Sequence, residues 1–311
     1  MYSKFKLFSF CMIAAIFVIA ASGSWASPDC TWSRQVGTGT YTTTLAVAAN
    51  FVMAAKDLVT ACQDGGYCNN TKFIICSDST SNLATELKSE YSSHSPNAYV
   101  TYGYFFAADD STADFEGDSG TSGADYLYAN GIPVFFAKAG TLDDVSHLIT
   151  HTPALSGSAY NITTSSLSGY TINTADSDYI AVAGTGAPYG VMAHTIINTM
   201  QGTSLPGTIP AYVRSPLYTN VGNVLTAVNN GTDTSGFGSK GQICDPSQAD
   251  VDPDVWTYVA FTNSAYKLAQ YAIRLNSSTA ATALDTYIRT TLMGGSGWDT
   301  FIANHCYEYD P

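Results

Sequence analysis

The chain has 311 residues and a formal net charge of −13, with 12 % charged and 13 % aromatic residues. So acidic a sequence lacks the clustered Lys and Arg that nucleic acid demands, which excludes that partner class. The length suffices for one large or two moderate domains.

The first element is an export signal. Lys4 and Lys6 precede an apolar run over residues 7–21, and Ser24-Trp25-Ala26 places small residues at the two positions a signal peptidase reads. The run is too short and wrongly flanked for a membrane anchor, and no later stretch is apolar enough to span a bilayer. We expect a signal over residues 1–26, cleaved after Ala26, and a mature chain with 10 basic and 25 acidic side chains. Cys11 leaves with the signal. Cys30, Cys62, Cys68, Cys76, Cys244 and Cys306 remain, an even set that allows three disulfides in any of 15 pairings. Cys62 and Cys68 can close a small loop around Asp64-Gly65-Gly66. A zinc centre is the alternative use of the six, but no CxxC pair supports it, and neither a metal nor a cofactor is expected.

Beyond the signal, β-type residues, a polar turn and a helical pattern recur, which is the sequence form of an α/β architecture. Residues 42–49 read as a strand. Asn50 stands at an N-cap position, and Phe51, Ala54, Ala55, Leu58, Val59 and Cys62 fall at helical spacing. Residues 72–76 form a second strand, followed by the polar turn 77–82 and a helix over 83–91. Residues 102–107 are a third strand, with a turn at 108–112. The Gly-, Ser- and Asp-rich segment 113–131 reads as loop. An apolar strand over 132–138 precedes a helical stretch at 141–149. A strand at 179–183 runs through Gly184 to Gly190 into a helix over 191–200. Asn220 precedes a helix over 221–228. Residues 256–261 are strand-like, and helices close the chain near 280–292 and 298–304.

Four strand-to-helix turns share a property. Asn50, Ser79–Asn82, Ala187–Gly190 and Asn220-Val221 each present backbone N–H groups at a helix start, where donors are unpaired and the dipole is positive. In an open α/β sheet such turns gather at the carboxyl edge of the strands. Ordinary capping explains any one of them taken singly. Several facing one cleft make a cage of uncharged donors, which suits a fully deprotonated tetrahedral oxyanion. Asp78, beside the second turn, is either an acceptor for a protonated ligand or simply a capping group.

A family resemblance is carried by these same segments. Leu45-Ala46-Val47-Ala48-Ala49-Asn50-Phe51 resembles the opening strand, turn and helix of periplasmic molybdate-binding proteins. Phe106-Ala107-Ala108-Asp109-Asp110-Ser111-Thr112 is similar to a second segment of that family, and Ser79-Thr80-Ser81-Asn82-Leu83 lies where it has a small-hydroxyl turn. Ile180-Ala181-Val182 through Pro188-Tyr189-Gly190, and Asn220-Val221 with Leu225, Ala227 and Val228, match two more in order. The resemblance implies the type II periplasmic binding fold: two α/β lobes with mixed sheets, joined by two crossing strands, with the ligand between them. It implies ligand contacts at Asn50, Ser79, Thr80 and Ser81 in one lobe, and at Tyr189, Val221 and Ser239 in the other. Crossings placed at 132–138 and 255–261 give one lobe from 27–133 plus 255–311 and the other from 134–254. The implied role is a monomeric periplasmic receptor, with no catalysis, that captures molybdate or tungstate for an inner-membrane ABC permease. The same fold also serves sulfate, phosphate, sulfonate or metal ions. Departures from the family are the asparagine at position 50, where a serine is commoner, and Ser239-Lys240 in place of a tyrosine near the last contact.

Three further motifs compete. Gly117-Asp118-Ser119-Gly120 copies a serine-protease signature, but His94 alone precedes it and the segment reads as loop. Gly184-Thr185-Gly186 followed by Gly190 is a poor echo of a dinucleotide turn. His147 and His151 lie one helical turn apart without a third ligand in spacing, and read as surface residues. A secreted hydrolase and a disulfide-stapled adhesion protein are the rival function classes.

Overall fold

The recurring strand, turn and helix units assemble into two separate sheets in the computed structural model, which describes residues 30–121, 124–175 and 179–310. The export signal expected over residues 1–26 lies outside the described residues. The first sheet has six strands in the order Trp32–Val36, Thr71–Asp78, Tyr41–Ala48, Tyr102–Phe106, Leu268–Arg274 and Tyr126–Gly131. Thr71–Asp78, Tyr41–Ala48 and Tyr102–Phe106 run parallel, and the flanking strands are antiparallel. A parallel strand covered on both faces must be apolar throughout, which is why Leu45 to Ala48 are wholly buried.

Helix α1 (Val52–Asp64) lays Ala54, Ala55, Leu58, Val59 and Cys62 on one face of this sheet. Helix α2 (Thr80–Ser93) lays Leu83 and Leu87 on the other. The second sheet has five strands, ordered Ile180–Ala181, Ser235–Ser239, Pro133–Lys138, Trp256–Phe261 and Ala159–Ile162. Helices α3 (Pro188–Gln201) and α4 (Val221–Asn229) pack against it. The chain then returns, and α5 (Thr279–Thr286) and α6 (Gly297–Asn304) bury Leu284, Trp298 and Ile302 in the core of the first sheet.

Sheet membership corrects several expectations. The strand Trp256–Phe261, expected at a crossing, pairs with both Pro133–Lys138 and Ala159–Ile162. The chain therefore changes sheets at Ile132 and again between Phe261 and Leu268. Tyr126–Gly131, expected as loop, is an edge strand paired with Leu268–Arg274. The helix expected at 141–149 reduces to one short turn at Val145–His147 and a strand Ile149–Thr150. The Asp144 carboxylate accepts from the N–H groups of Ser146 and Gly157, a local bond that competes with helix. The last long helix ends at Thr286 and continues as a π-helical turn over Tyr287–Leu292.

The six cysteines among the described residues pair: Cys30 with Cys76, Cys62 with Cys68 and Cys244 with Cys306. The first two lie within the first lobe. The third joins the segment after Ser235–Ser239 of the second sheet to the chain end after α6 of the first.

Candidate functional site

The carboxyl edges of the two sheets face each other and touch. Asn50 follows Tyr41–Ala48, and Ser79 to Ser81 follow Thr71–Asp78, both at the same edge of the first sheet. Tyr189 lies in the first turn of α3 and Val221 opens α4, both on the second. Hydrogen bonds among the described residues cross between the lobes. Asn220 Nδ2 donates to Asp78 Oδ1 at 3.1 Å. Ser81 donates to the Gly186 carbonyl through its backbone N–H at 3.3 Å and its hydroxyl at 2.9 Å. Gln270 Nε2 donates to the Tyr189 hydroxyl at 2.8 Å. Between them one apolar cluster joins Ala48 and Ala108 of the first lobe to Ala187, Tyr189 and Val221 of the second.

Within this closed cleft the backbone N–H groups of Asn50, Thr80, Tyr189 and Val221 donate to no other group among the described residues. Adjacent donors are committed at three of them: Phe51 to Ala48, Ser81 to Gly186 and Gly190 to Ala187. A helix leaves its first-turn donors unpaired, and here three of the four belong to first turns.

Side chains at the same positions behave differently. Asn50 is not an N-cap. Helix α1 starts at Val52 with Phe51 before it, and the Asn50 amide turns inward to Gln270 Oε1 at 2.9 Å. Its carbonyl accepts from the Tyr307 hydroxyl at 2.5 Å. Ser79 is the N-cap of α2, accepting from the Asn82 N–H at 3.3 Å, so that helix begins three residues before position 83. Thr80 Oγ1 accepts from the Ala108 N–H at 3.1 Å. Ser81 is spent on Gly186. Ser239 is fully buried. Its hydroxyl donates to the Tyr189 hydroxyl at 3.0 Å and accepts from the Gly241 N–H at 3.2 Å, so it braces the site from behind. Lys240 pairs with Asp250 at 2.8 Å and takes no place in the cleft.

A buried network behind these turns was not legible in the sequence. Gln270 links Asn50, Tyr128 and Tyr189. Tyr307 reaches Asn50 from the C-terminus and packs its ring against Gly241 of the second lobe. A phenol therefore does stand near Ser239, supplied from the chain end. Burial raises the Tyr128, Tyr189 and Tyr307 hydroxyls above the ordinary tyrosine range, so they remain neutral hydrogen-bonding groups.

Asp78 is 7 % exposed. Its Oδ1 accepts from Asn220 and from the Ser79 N–H at 2.6 Å, and Oδ2 accepts from the Thr31 hydroxyl at 2.5 Å. The carboxylate thus fastens the N-terminal segment, the second turn and the opposite lobe.

Comparison with solved structures follows this architecture over most of the chain. The periplasmic molybdate-binding protein of Azotobacter vinelandii is similar at a TM-score of 0.57, with 17 % identity over 86 % of this chain and 100 % of that one. The sulfate-binding protein SubI of Mycobacterium tuberculosis H37Rv is similar at 0.50, with 10 % identity over 87 % of this chain and 88 % of that one. The fold is that of the type II periplasmic binding proteins. No family model and no curated protein matches the sequence.

The competing motifs go elsewhere. Ser119 is exposed, and Asp118 accepts from the Tyr99 hydroxyl. His151 stacks on Tyr170 with ring centroids 3.8 Å apart.

Proposed function

We propose that the chain is an exported solute receptor that closes two lobes on an oxyanion and delivers it to an inner-membrane ABC permease. The observation that supports this reading is that the backbone N–H groups of Asn50, Thr80, Tyr189 and Val221, two from each lobe, are uncommitted at the strand-to-helix edges of the two sheets. Uncharged donors at helix starts hold anions without a neutralising cation. That agrees with a chain of strongly acidic balance whose Lys240 is already paired. Molybdate and tungstate, acceptor-only when deprotonated, are the inorganic ions for which such donors are best suited. Three disulfides and the fold agree with export to the periplasm. Lobe closure selects the ligand because only the closed form brings donors from both sides together.

Calorimetric and thermal-shift titration with molybdate, tungstate, sulfate and phosphate tests the reading. Molybdate or tungstate at a hundredfold excess over its Kd should stabilise the fold by about 2.7 kcal/mol. Thr80→Val and Tyr189→Pro, the latter deleting a donor, should weaken binding more than Ser119→Ala. Indifference to every oxyanion defeats the proposal.

A further inference from the structure

Three of the four uncommitted N–H groups are aimed by the helices they open, and the fourth is not. Helix α1 starts at Val52, so Asn50 stands outside it and no helical ladder directs its N–H. The direction comes from the groups that hold the residue. The peptide after Asn50 is held at both ends, by the Phe51 N–H on the Ala48 carbonyl at 2.9 Å and by the Tyr307 hydroxyl on the Asn50 carbonyl at 2.5 Å. The side-chain amide donates to Gln270 Oε1 at 2.9 Å and to the Tyr307 hydroxyl at 3.4 Å. Tyr307 therefore meets Asn50 through both its backbone and its side chain.

The segment that carries Tyr307 is anchored on both lobes. Cys306 is joined to Cys244 of the second lobe. Glu308 exchanges backbone bonds with Asn130, giving its N–H at 3.1 Å and accepting at 2.7 Å, and its carboxylate pairs with Lys267. Asn130 lies just before the crossing at Ile132, and Lys267 just before Leu268–Arg274, where the chain returns to the first sheet. Between these anchors the Tyr307 ring lies against Gly241 of the second lobe, where a Cβ would overlap it. Residues 306–308 thus make a third connection between the lobes, tied to both crossings, with the phenol at its centre.

We infer that Tyr307 is a positioning residue: its hydroxyl sets the direction of the Asn50 N–H, and the strap Cys306–Glu308 links that direction to the angle between the lobes. The inference rests on the oxyanion reading of the four N–H groups and adds a control on that site. When the lobes part, Gly241 shifts against the crossings, and the phenol held between them turns the Asn50 peptide. The donor is then correctly aimed in the closed form alone. Affinity depends on such support, because a binding group held loosely must be ordered at the ligand's expense.

The test reads the direction of the N–H vector separately from binding. Residual dipolar couplings of the backbone amides are measured on the full mature chain without ligand, and molybdate affinity is measured by calorimetry. Tyr307→Phe keeps the ring against Gly241 and deletes the hydroxyl. It should change the Asn50 coupling against the alignment of the first lobe, leave those of Thr80, Tyr189 and Val221 in place, and weaken molybdate binding about tenfold. Gly241→Ala displaces the ring from the second lobe and should change the same Asn50 coupling. If Gly241→Ala does not fold, Cys244→Ser with Cys306→Ser releases the strap from that lobe and is read in the same way. An Asn50 coupling unchanged in Tyr307→Phe, or a molybdate affinity within twofold of the parent, overturns the positioning role even where the melting temperature falls. A change in Tyr307→Phe with none on release from the second lobe overturns the link to the lobe angle. If the parent chain ignores molybdate, sulfate and phosphate alike, the oxyanion reading fails, and the Asn50 couplings still decide whether Tyr307 aims that group.

Discussion

The rear of the cleft and its mouth are built from different materials. At the rear, a disulfide and a buried net of side chains join the lobes: Cys244 to Cys306, and Gln270 to Asn50, Tyr128 and Tyr189. At the mouth the hydrogen-bonded links are one amide on Asp78 and one serine on a carbonyl. The rear holds a covalent bond and a buried net of bonds, whereas the mouth holds one buried bond, Asn220 to Asp78, and one exposed contact, Ser81 to Gly186. On the proposed function, the molecule is stiff where it would pivot and more lightly latched where a solute would enter. Hinge motion needs this asymmetry, since lobes fastened equally on all sides would not open.

The comparison breaks first at the rear. Replacing Cys244 and Cys306 together by Ser frees a loop of sequence separation 62, which chain entropy values at about 4 kcal/mol. Denaturant unfolding should record that loss, and small-angle scattering should record a wider distribution of lobe separations. An unchanged radius of gyration would deny the disulfide its role as a tether. Gln270→Ala comes next. It removes one buried bond each from Asn50, Tyr128 and Tyr189, which keep Tyr307, the Ala107 carbonyl and Ser239, and should cost about 3 kcal/mol. A loss near zero would show that the net carries no load.

How much of this was readable in advance depends on how local each feature is. The four turns were legible because a strand, a small polar residue and a helix are consecutive in the chain. Leu45 to Asn50 and Thr80 to Leu83 needed no distant partner to be recognised. Gln270 and Tyr307 meet Asn50 across sequence separations of 220 and 257, and nothing in Leu-Ala-Gln-Tyr or Cys-Tyr-Glu marks a side chain as belonging to a remote turn. Asn50 shows the same limit from the other side: its position suits an N-cap, but a buried partner on another strand took its amide. Trp32–Val36, Tyr126–Gly131 and Leu268–Arg274 were missed for a related reason. Each is an antiparallel strand of the first sheet whose existence depends on a neighbour far away in sequence. The expected helix at 141–149 failed because one aspartate bonded its own backbone neighbourhood instead.

At the mouth the effects should be smaller. Asn220→Ser keeps an oxygen to cap α4 and drops the amide that reaches Asp78. It should cost about 2 kcal/mol and speed ligand release in stopped-flow measurements. If release is unchanged, the Asp78 contact is no latch.

The smallest effect is a pH dependence behind the third turn. His194 is 4 % exposed and meets the Ala183 carbonyl at 3.0 Å. Burial pushes its imidazole below the ordinary histidine value. The folded state therefore prefers the neutral ring. Its contribution is complete above the unfolded value of about 6.5 and is lost as pH falls through the lower folded value. Melting temperature should decline from pH 7 to pH 5, and His194→Gln, which retains an amide donor, should flatten that slope. A slope unchanged by the substitution would place its origin elsewhere.

The most direct measurement follows the backbone amide resonances of the labelled protein during titration with molybdate. The N–H signals of Asn50, Thr80, Tyr189 and Val221 should move furthest and exchange slowest with solvent at saturation, with all four responding at one ligand concentration. Saturable binding that leaves those four signals in place, or that moves those of one lobe alone, would contradict the account.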